Sequence, residues 1–339
     1  MTDVLSSVLD VLDVRVAASA RFEAAGDWGL SFPRPGQLKV IAVLAGQCWA
    51  AVGAGTGTGT GTGAGTSTGA GSGEAIRLEA RDCLLLAGNQ DFTMLSRPDQ
   101  TALPQPAVLP GPWPPVVYYQ TGPGRSDAGR TVLVSGQLTV DSYAAGLLLD
   151  RIPAAVKIDG ATAAARRVGP VLDLLSEEAA DPGAPGALVI RRQLTHVLLV
   201  QTLRAVLATS AGPAGWLAAL ADPQVGAALA QIHAQPDRHW TVAELAGAAA
   251  MSRSAFAARF RALTGLAPLE YLITWRMHLA ARDLRTTSRT VSSIGAGVGY
   301  PAETTFSTTF KRIMGQPPGR YRAMVRADRR PAVAASGTG

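Results

Sequence analysis

Apolar residues recur with helical spacing in two similar segments near the C-terminus. Each segment has three of them at i, i+4 and i+7: Phe256, Phe260 and Leu263 in the first, and Phe306, Phe310 and Ile313 in the second. Residues with this spacing share one face of a helix, so the pattern predicts an amphipathic helix in each segment. A glycine after each stripe, Gly265 or Gly315, predicts where the helix ends.

A shorter helix and a turn precede the second amphipathic helix. Thr290 is the expected N-cap of a helix from Val291 to about Val298. Gly299 breaks that helix, and the next one begins near Pro301. Two short helices joined by a tight turn are typical of a helix-turn-helix, whose second helix enters the major groove of DNA.

The same arrangement occurs about fifty residues earlier. Thr241 and Glu244 have the spacing of a capping box, which predicts the start of a short helix, and Ser252 is the expected N-cap of the next. Between the two units, residues 268–286 are predicted to form one helix about 28 Å long, at about 1.5 Å per residue. A connector of this length can hold two recognition helices roughly one DNA turn apart.

At these residues the chain resembles the AraC/XylS family of bacterial transcription regulators. The motifs that carry the resemblance are TVAELA and MSRSAFAARF in the first unit, WRM in the connector and VGYPAETTFSTTFKRIMGQPPGRYR in the second. The resemblance covers about Asp222 to Arg326 and implies a DNA-binding domain there. Gly295 and Gly297 depart from the family pattern, which usually has Ala or a similar residue there, and glycine weakens a helix. Thr308 stands where many members carry Arg.

The resemblance and the helical spacing together predict the DNA contacts. The resemblance implies base-facing positions that avoid the phenylalanine stripes: Ser254, Ala257, Ala258, Glu303, Thr304, Ser307 and Thr308. Neighbouring basic side chains are expected to bind the DNA backbone: Arg253, Arg259, Arg261, Lys311, Arg312 and Arg320. Alanine offers no hydrogen bond to a base, so the second unit is expected to read more of the DNA sequence.

The charge distribution favours DNA as the partner. From residue 222 to the end there are 15 Lys+Arg and 7 Asp+Glu, a net charge of +8; the first 221 residues hold 16 and 18, a net charge of −2, and the two parts add to +6. A basic region is often only a solvated surface, but this one coincides with both predicted helix-turn-helix units. The alternative, a protein-interaction module of the same fold, predicts no salt-sensitive DNA binding.

The N-terminal half has the pattern of strands. Short apolar or alternating runs are separated by Gly, Pro and Asp, at residues 38–52, 76–86, 92–95 and 131–140. They predict an antiparallel barrel or jelly roll. The segments WGLSFPRPGQLKVIAVLAGQCWAAV and IRLEARDCLLLAG are similar to the cupin sensor domain of one AraC subfamily, a resemblance that covers about Val14 to Asp159. Residues 53–73 form a Gly/Thr-rich insertion, expected to behave as a coil that enlarges a hairpin turn.

A cupin metalloenzyme or oxygenase is the rival hypothesis, because cupin enzymes hold a metal with His and Glu ligands. No histidine occurs before His196, so neither a His-ligated metal site nor any cofactor is predicted. Cys48 and Cys83 both lie in predicted strands. Such cysteines are usually small buried hydrophobes, but related regulators include oxidant sensors, which leaves a redox pair open.

Two helices are predicted between the halves, at Gly169 to Ala180 and Ala187 to Thr209. The second is apolar on two faces: Ile190, Leu194 and Val197 on one, and Val200, Leu203 and Leu207 on the other. One face can pack on the sheets and the other on a second subunit, unless both are buried within one monomer. His196 lies in this helix and is expected to be a packed residue rather than a ligand.

We therefore expect an α+β protein with a cupin-like sensor at residues 1–160, a helical linker at 161–221, a DNA-binding domain at 222–326 and a disordered tail at 327–339. No catalytic site is predicted. The acidic, periodic N-terminus predicts a packed helix rather than a signal peptide, and no run of 18 apolar residues occurs, so we expect a cytoplasmic protein without a membrane partner. Expected partners are double-stranded promoter or operator DNA, RNA polymerase, a small-molecule or oxidant effector, and a second copy of the chain. The sequence leaves the effector, the operator and the choice between activation and repression open.

Overall fold

The computed structural model describes residues 3–32, 38–53, 75–87, 90–104, 116–120, 130–140, 153–181, 183–208 and 216–328. Most of the Gly/Thr-rich insertion and of the predicted tail lies outside these ranges. The chain divides into two units. The sheet unit contains Val14–Val140 and Leu147–Leu217, and the helical unit contains Met1–Asp13, Asp141–Gly146 and Ala218–Gly339.

Two β-sheets form the centre of the sheet unit. Their strands are β1 (Arg15–Ala25), β2 (Gly29–Phe32), β3 (Leu38–Ala45), β4 (Gln47–Val52), β5 (Ile76–Glu79), β6 (Cys83–Ala87), β7 (Phe92–Leu95), β8 (Leu103–Pro104), β9 (Val116–Gln120), β10 (Thr131–Thr139) and β11 (Ala155–Ile158). The six-stranded sheet has the order β11-β6-β3-β10-β1-β9, and the five-stranded sheet has the order β5-β4-β7-β2-β8. Within the described residues, β9 and β8 pair in parallel with β1 and β2, and the other pairings are antiparallel.

The hydrophobic core of this unit lies between the two sheets. Inward-facing residues of both, including Phe22, Trp28, Ile41 and Phe92, belong to one buried cluster. The predicted strand at residues 38–52 is two strands, β3 and β4, which belong to different sheets and are joined by a turn at Gly46, with a φ of 77°. A β-carbon there would lie 2.4 Å from the carbonyl oxygen of Arg130, so this turn requires glycine.

Two helices of the sheet unit match the predicted linker helices closely. They are α2 (Gly169–Ala180) and α3 (Ala187–Ala208), preceded by a short 3-10 helix at Ala164–Arg167. They pack on the six-stranded sheet, so they belong to this unit rather than to a separate linker. The structure distinguishes the two apolar faces predicted for α3. Leu203 is buried inside the unit, whereas Ile190 and Val197 are each 42% exposed.

The helical unit contains α1 (Val4–Leu12), the last four residues of α4 (Trp216–Ala221), α5 (Pro223–Ala234), α6 (Val242–Ala248), α7 (Arg253–Thr264), α8 (Pro268–Thr286), α9 (Val291–Gly297), α10 (Glu303–Met314) and α11 (Pro318–Asp328). The connector helix α8 has the bounds predicted from the sequence. Helix α1 was predicted to belong to the sensor at residues 1–160, but it contacts α5 and α8 of the helical unit. Arg285 of α8 donates a hydrogen bond to the Val11 carbonyl oxygen at 3.0 Å. No helix in the described ranges is long and apolar enough to cross a membrane.

Candidate nucleic-acid interface

The first helix-turn-helix consists of α6 and α7, and side chains fix the start of each helix. The backbone N–H of Thr241 donates to Glu244 Oε2 at 2.8 Å, and the N–H of Glu244 donates to Thr241 Oγ1 at 3.2 Å. This is the capping box predicted from the sequence. Ser252 caps α7 by accepting from the N–H of Ala255 at 3.3 Å. Both helices therefore begin after the N-cap residues that were predicted from the sequence.

The second helix-turn-helix, α9 and α10, repeats the turn of the first. Ala250 and Gly299 are the turn residues, with φ values of 51° and 85°. The following N–H groups, of Met251 and Tyr300, each donate to a carbonyl oxygen of the preceding helix at 2.9 Å. The two turns are thus equivalent, although only the second has glycine, the residue that adopts a positive φ most readily.

The aromatic cores of the two units are also equivalent. Phe260 and Tyr271 have ring centroids 5.6 Å apart with an interplanar angle of 78°, and Phe310 and Tyr321 have centroids 5.6 Å apart with an angle of 75°. Gly295 explains one departure from the family pattern. A β-carbon there would lie 2.9 Å from Phe306 Cγ, so glycine lets α9 approach α10.

The predicted base-facing residues lie on the outer faces of α7 and α10. Those that are exposed to solvent are Ser254, Ala258, Glu303, Thr304 and Thr308, whereas Ala257 and Ser307 are partly buried. The phenylalanine stripes on the opposite faces are buried. Each recognition helix is therefore held by its apolar face and presents small or polar side chains outward. The base contacts of these residues stay a prediction.

The predicted backbone-binding residues differ in their surroundings. All six are exposed: Arg253, Arg259, Arg261, Lys311, Arg312 and Arg320. Arg259 is engaged within the protein, because its Nε and Nη2 contact Asp222 Oδ2 at 2.8 and 2.5 Å. Asp222 Oδ1 also accepts from the N–H groups of Gln224 and Val225 at the start of α5. Arg259 therefore ties α7 to α5, a role that its spacing in the sequence did not indicate.

Arg276, the arginine of the WRM motif, is a positioning residue that was not predicted from the sequence. It lies on α8 and is buried. Its guanidinium donates to the carbonyl oxygens of Pro236 at 2.5 Å and Arg238 at 2.9 Å. It also lies 5.7 Å from the centroid of the Tyr300 ring. Arg276 thus joins the loop before α6 to the turn of the second unit, which helps to fix the two helix-turn-helix units relative to each other.

Two histidines of this unit, His233 and His278, are buried in its core. His233 Nε2 lies 2.9 Å from Tyr271 Oη, and its ring centroid is 4.0 Å from that of Trp275. Burial lowers the pKa of His233 to about 3. Burial, with the charge of Arg285, lowers the pKa of His278 to about 4. Both imidazoles are therefore neutral packing groups near pH 7.

The cysteines of the sheet unit do not have the surroundings of reactive thiols. Cys48 in β4 and Cys83 in β6 belong to different sheets, and both are buried and unbonded to each other. Burial, with a contribution from the Asp82 carboxylate, raises the pKa of each thiol to about 12. Because the thiolate is the reactive form, this burial argues against the redox role. The described residues contain no His, Cys, Asp and Glu cluster that could hold a metal ion.

Comparison with known proteins matches each unit to a family. Residues 3–208 match the family described as Cupin, and residues 245–324 match the helix-turn-helix domain family. Putative AraC-like transcription regulators from Streptomyces lividans and Streptomyces antibioticus are each 37% identical, over 325 and 327 residues. Each alignment covers 94% of this chain and 98% of the relative. Among solved structures, the DNA-binding domain of AdpA in complex with a target DNA is 37% identical, covering 32% of this chain and 96% of that one with a TM-score of 0.30.

A Cupin-type sheet unit on the same chain as two equivalent helix-turn-helix units defines a two-domain transcription regulator. The two Streptomyces relatives, which align with this chain over nearly their whole length, show to which group of regulators it belongs. The chain belongs to the AraC-like transcription regulators. The rival hypothesis of a cupin metalloenzyme finds no support among the relatives, which are named as regulators.

Proposed function

We propose that α7 and α10 bind successive major grooves of double-stranded promoter DNA in the cytoplasm and thereby regulate transcription by RNA polymerase. The observation that supports this most directly is the equivalence of the two units. Both bury a phenylalanine stripe in the same geometry and leave the opposite face of the second helix exposed. An exposed helix face with basic residues at its margins is what major-groove binding requires.

We further propose that α10 reads more of the DNA sequence than α7. Glu303 can accept a hydrogen bond from a cytosine amino group, and the hydroxyls of Thr304 and Thr308 can pair with several base edges. On α7, Ala258 can offer only a methyl contact. The α7 unit then contributes mainly through Arg253 and Arg261 at phosphates, which position the protein without specifying sequence.

Selection of bound sequences from genomic or random DNA with the full-length protein tests this function, and a scan of every base pair of the selected operator tests the asymmetry. Glu303→Ala should relax discrimination at one position by about 1–3 kcal/mol. Thr309→Ala is the matched control, because the Thr309 hydroxyl donates to the Thr305 carbonyl oxygen of its own helix at 2.9 Å. The asymmetry would be refuted if base-pair substitutions under α7 and under α10 lost equal binding free energy, or if Glu303→Ala relaxed discrimination at no position. Failure to select any sequence would refute DNA binding.

The sheet unit is proposed to be a sensor for an effector, without catalytic activity of its own. A second copy of the chain is the proposed partner of α3. Apolar side chains cluster on its exposed face, with Val189 61% exposed and Ile190 and Val197 42% exposed. Contiguous exposed apolar side chains are typical of interaction surfaces. Pairing of two copies would present two DNA-binding domains, each with two helix-turn-helix units, to adjacent half-sites of an operator.

A further inference from the structure

Each helix-turn-helix packs on its own part of the connector helix α8. Tyr271, in the first half of α8, contacts Phe260 of the first unit, with ring centroids 5.6 Å apart. Met277, further along α8, belongs instead to the buried cluster that contains Phe306 of the second unit. Arg276 lies between these two packing regions, immediately before Met277. A long side chain at this position can therefore contact both units.

On the side of the first unit, Arg276 holds the loop that leads into α6. Only 6% of Arg276 is exposed to solvent. Its Nε and Nη2 donate to three successive carbonyl oxygens at 2.5, 3.2 and 2.9 Å, those of Pro236, Asp237 and Arg238. A guanidinium has five N–H donors in a fixed plane, so one side chain can bond several carbonyl oxygens of a loop at once.

The side chains of the same loop join it to the start of α6. Arg238 Nη2 contacts Glu244 Oε1 at 2.7 Å, and Glu244 completes the capping box of α6. The Arg238 guanidinium also lies 4.0 Å from the centroid of the Trp240 ring, whose Nε1 donates to the Gln235 carbonyl oxygen at 3.0 Å. A shift of this loop would therefore also move α6.

On the side of the second unit, the turn between α9 and α10 contacts the same groups. The Arg276 guanidinium lies 5.7 Å from the centroid of the Tyr300 ring, which in turn packs on Phe306 with centroids 6.0 Å apart. A β-carbon at Gly299 would lie 2.5 Å from the Asp237 carbonyl oxygen and 3.0 Å from Arg276 Nη2. The turn of the second unit thus packs directly against the loop of the first, with Arg276 beside both.

We propose that the junction formed by Arg276, residues 236–238 and the turn at Gly299 and Tyr300 determines which operator spacing the protein accepts. Each base pair inserted between two subsites moves one of them by about 3.4 Å and rotates it by about 34° around the DNA axis. Two units that are held together cannot follow this change, so contacts at one subsite are lost. Arg276 is thus a positioning residue for specificity, although it lies outside the recognition helices. This inference rests on the proposed binding of α7 and α10 to successive major grooves.

Binding to operators of different spacing tests the proposal on the full-length protein. The selected operator is compared with versions that have one or two base pairs inserted between the subsites, and each Kd is measured by fluorescence anisotropy. For the natural chain, one inserted base pair should weaken binding at least about tenfold, as expected for the loss of base contacts. For Arg276→Lys, which keeps the charge but lacks the planar donor group, this penalty should fall to about threefold or less. A general loss of folded protein would weaken binding to every operator alike and leave the penalty unchanged.

Arg282→Lys is the matched control, because Arg282 lies on the same helix and pairs with Asp283 at 3.0 Å, outside the junction. It should keep the penalty of the natural chain; the same fall as in Arg276→Lys would overturn the assignment to the junction. The proposal would also be overturned by equal penalties in the natural chain and Arg276→Lys, or by a natural chain that binds all spacings within about twofold. If Arg276→Lys does not fold, Tyr300→Leu decides, because it removes the ring beside the guanidinium. Its penalty should fall at least about twofold, and an unchanged penalty would overturn the proposal.

The distance between the recognition helices provides a readout that does not depend on DNA. Spin labels at Ala258→Cys and Thr308→Cys, two exposed positions, report this distance by double electron–electron resonance, and the natural Cys48 and Cys83 are buried. Excess unlabelled chain is added so that distances within one chain dominate. Arg276→Lys should broaden the distance distribution by at least about 3 Å, the rise of one base pair, and an unchanged distribution would overturn the proposal. If no operator can be selected, the proposed function fails, while this measurement still decides whether Arg276 holds the two units together.

Discussion

Ala250 and Gly299 occupy equivalent turns but differ by one β-carbon. Ala250 has a φ of 51° and is exposed, and a left-handed conformation costs a non-glycine residue about 1–2 kcal/mol. We expect Ala250→Gly to raise the free energy of unfolding by about 0.5–1 kcal/mol, after part of the gain is lost to the greater entropy of the unfolded chain. Urea unfolding of the full-length protein, followed by circular dichroism, measures this change.

Gly299→Ala is the matched control for that experiment. Its β-carbon would lie 2.5 Å from the Asp237 carbonyl oxygen at a φ of 85°, so we expect a loss of at least about 2 kcal/mol. If Ala250→Gly destabilises the protein, or if Gly299→Ala is neutral, the two turns are not equivalent in solution.

Arg253 and Arg259 lie on the same helix and should affect DNA binding differently. Arg253 is exposed at the start of α7, whereas Arg259 is paired with Asp222. Arg253→Ala should lower the slope of log K against log salt by about one unit. Arg259→Ala removes the same charge but should change the slope less and lower the unfolding midpoint, because α7 loses its tie to α5. Equal slope changes measured by fluorescence anisotropy across a salt series would show that Arg259 contacts phosphate as well.

At the scale of elements, substitutions on the two faces of α3 should distinguish an effect on association from an effect on folding. Val197 lies on its exposed face, and Leu203 is only 4% exposed. We expect Val197→Glu to give a folded monomer at micromolar concentration in sedimentation velocity. Leu203→Glu should instead unfold the sheet unit, since a charge buried without a partner costs several kcal/mol. A natural chain that sediments as a monomer would remove the basis for dimerisation through α3.

The secondary structure was largely predictable because its signals are local. The bounds of α8 and β7 agree with the predicted ranges, and α2 and α3 agree to within one residue. The longer apolar runs at 38–52 and 76–86 each proved to be two strands, because glycine or a turn divides them. The strand β1 was missed: its small and charged residues give little strand signal, and it forms by pairing with β10 and β9 far along the chain.

At the scale of the whole molecule, the stability of the helical unit should fall in mild acid. His233 and His278 have pKa values lowered to about 3 and about 4, whereas an unfolded histidine titrates near 6.5. The unfolded state therefore binds more protons below about pH 6.5, and the stability present above that pH is lost as the pH falls toward the folded pKa values. Between pH 7 and pH 5 we expect a loss of about 2 kcal/mol per histidine.

Urea unfolding at a series of pH values measures this loss. His233→Gln keeps a group able to bond Tyr271 but cannot be protonated, so its unfolding free energy should depend less steeply on pH. A variant with the same pH dependence as the natural chain would show that His233 is not the group responsible.

The sequence by itself determined the two helix-turn-helix units and the connector between them, because caps, turns and helical periodicity act over a few residues. The resemblance of its motifs also indicated the family, which the two relatives show. Only the tertiary structure decided which side chains meet across long separations. It assigned α1 to the helical unit, paired Arg259 with Asp222 and buried Cys48 and Cys83. It also placed the Lys39 ammonium beside the stacked rings of Phe32 and Phe92, since the surroundings of a side chain depend on packing between segments that are distant in the chain.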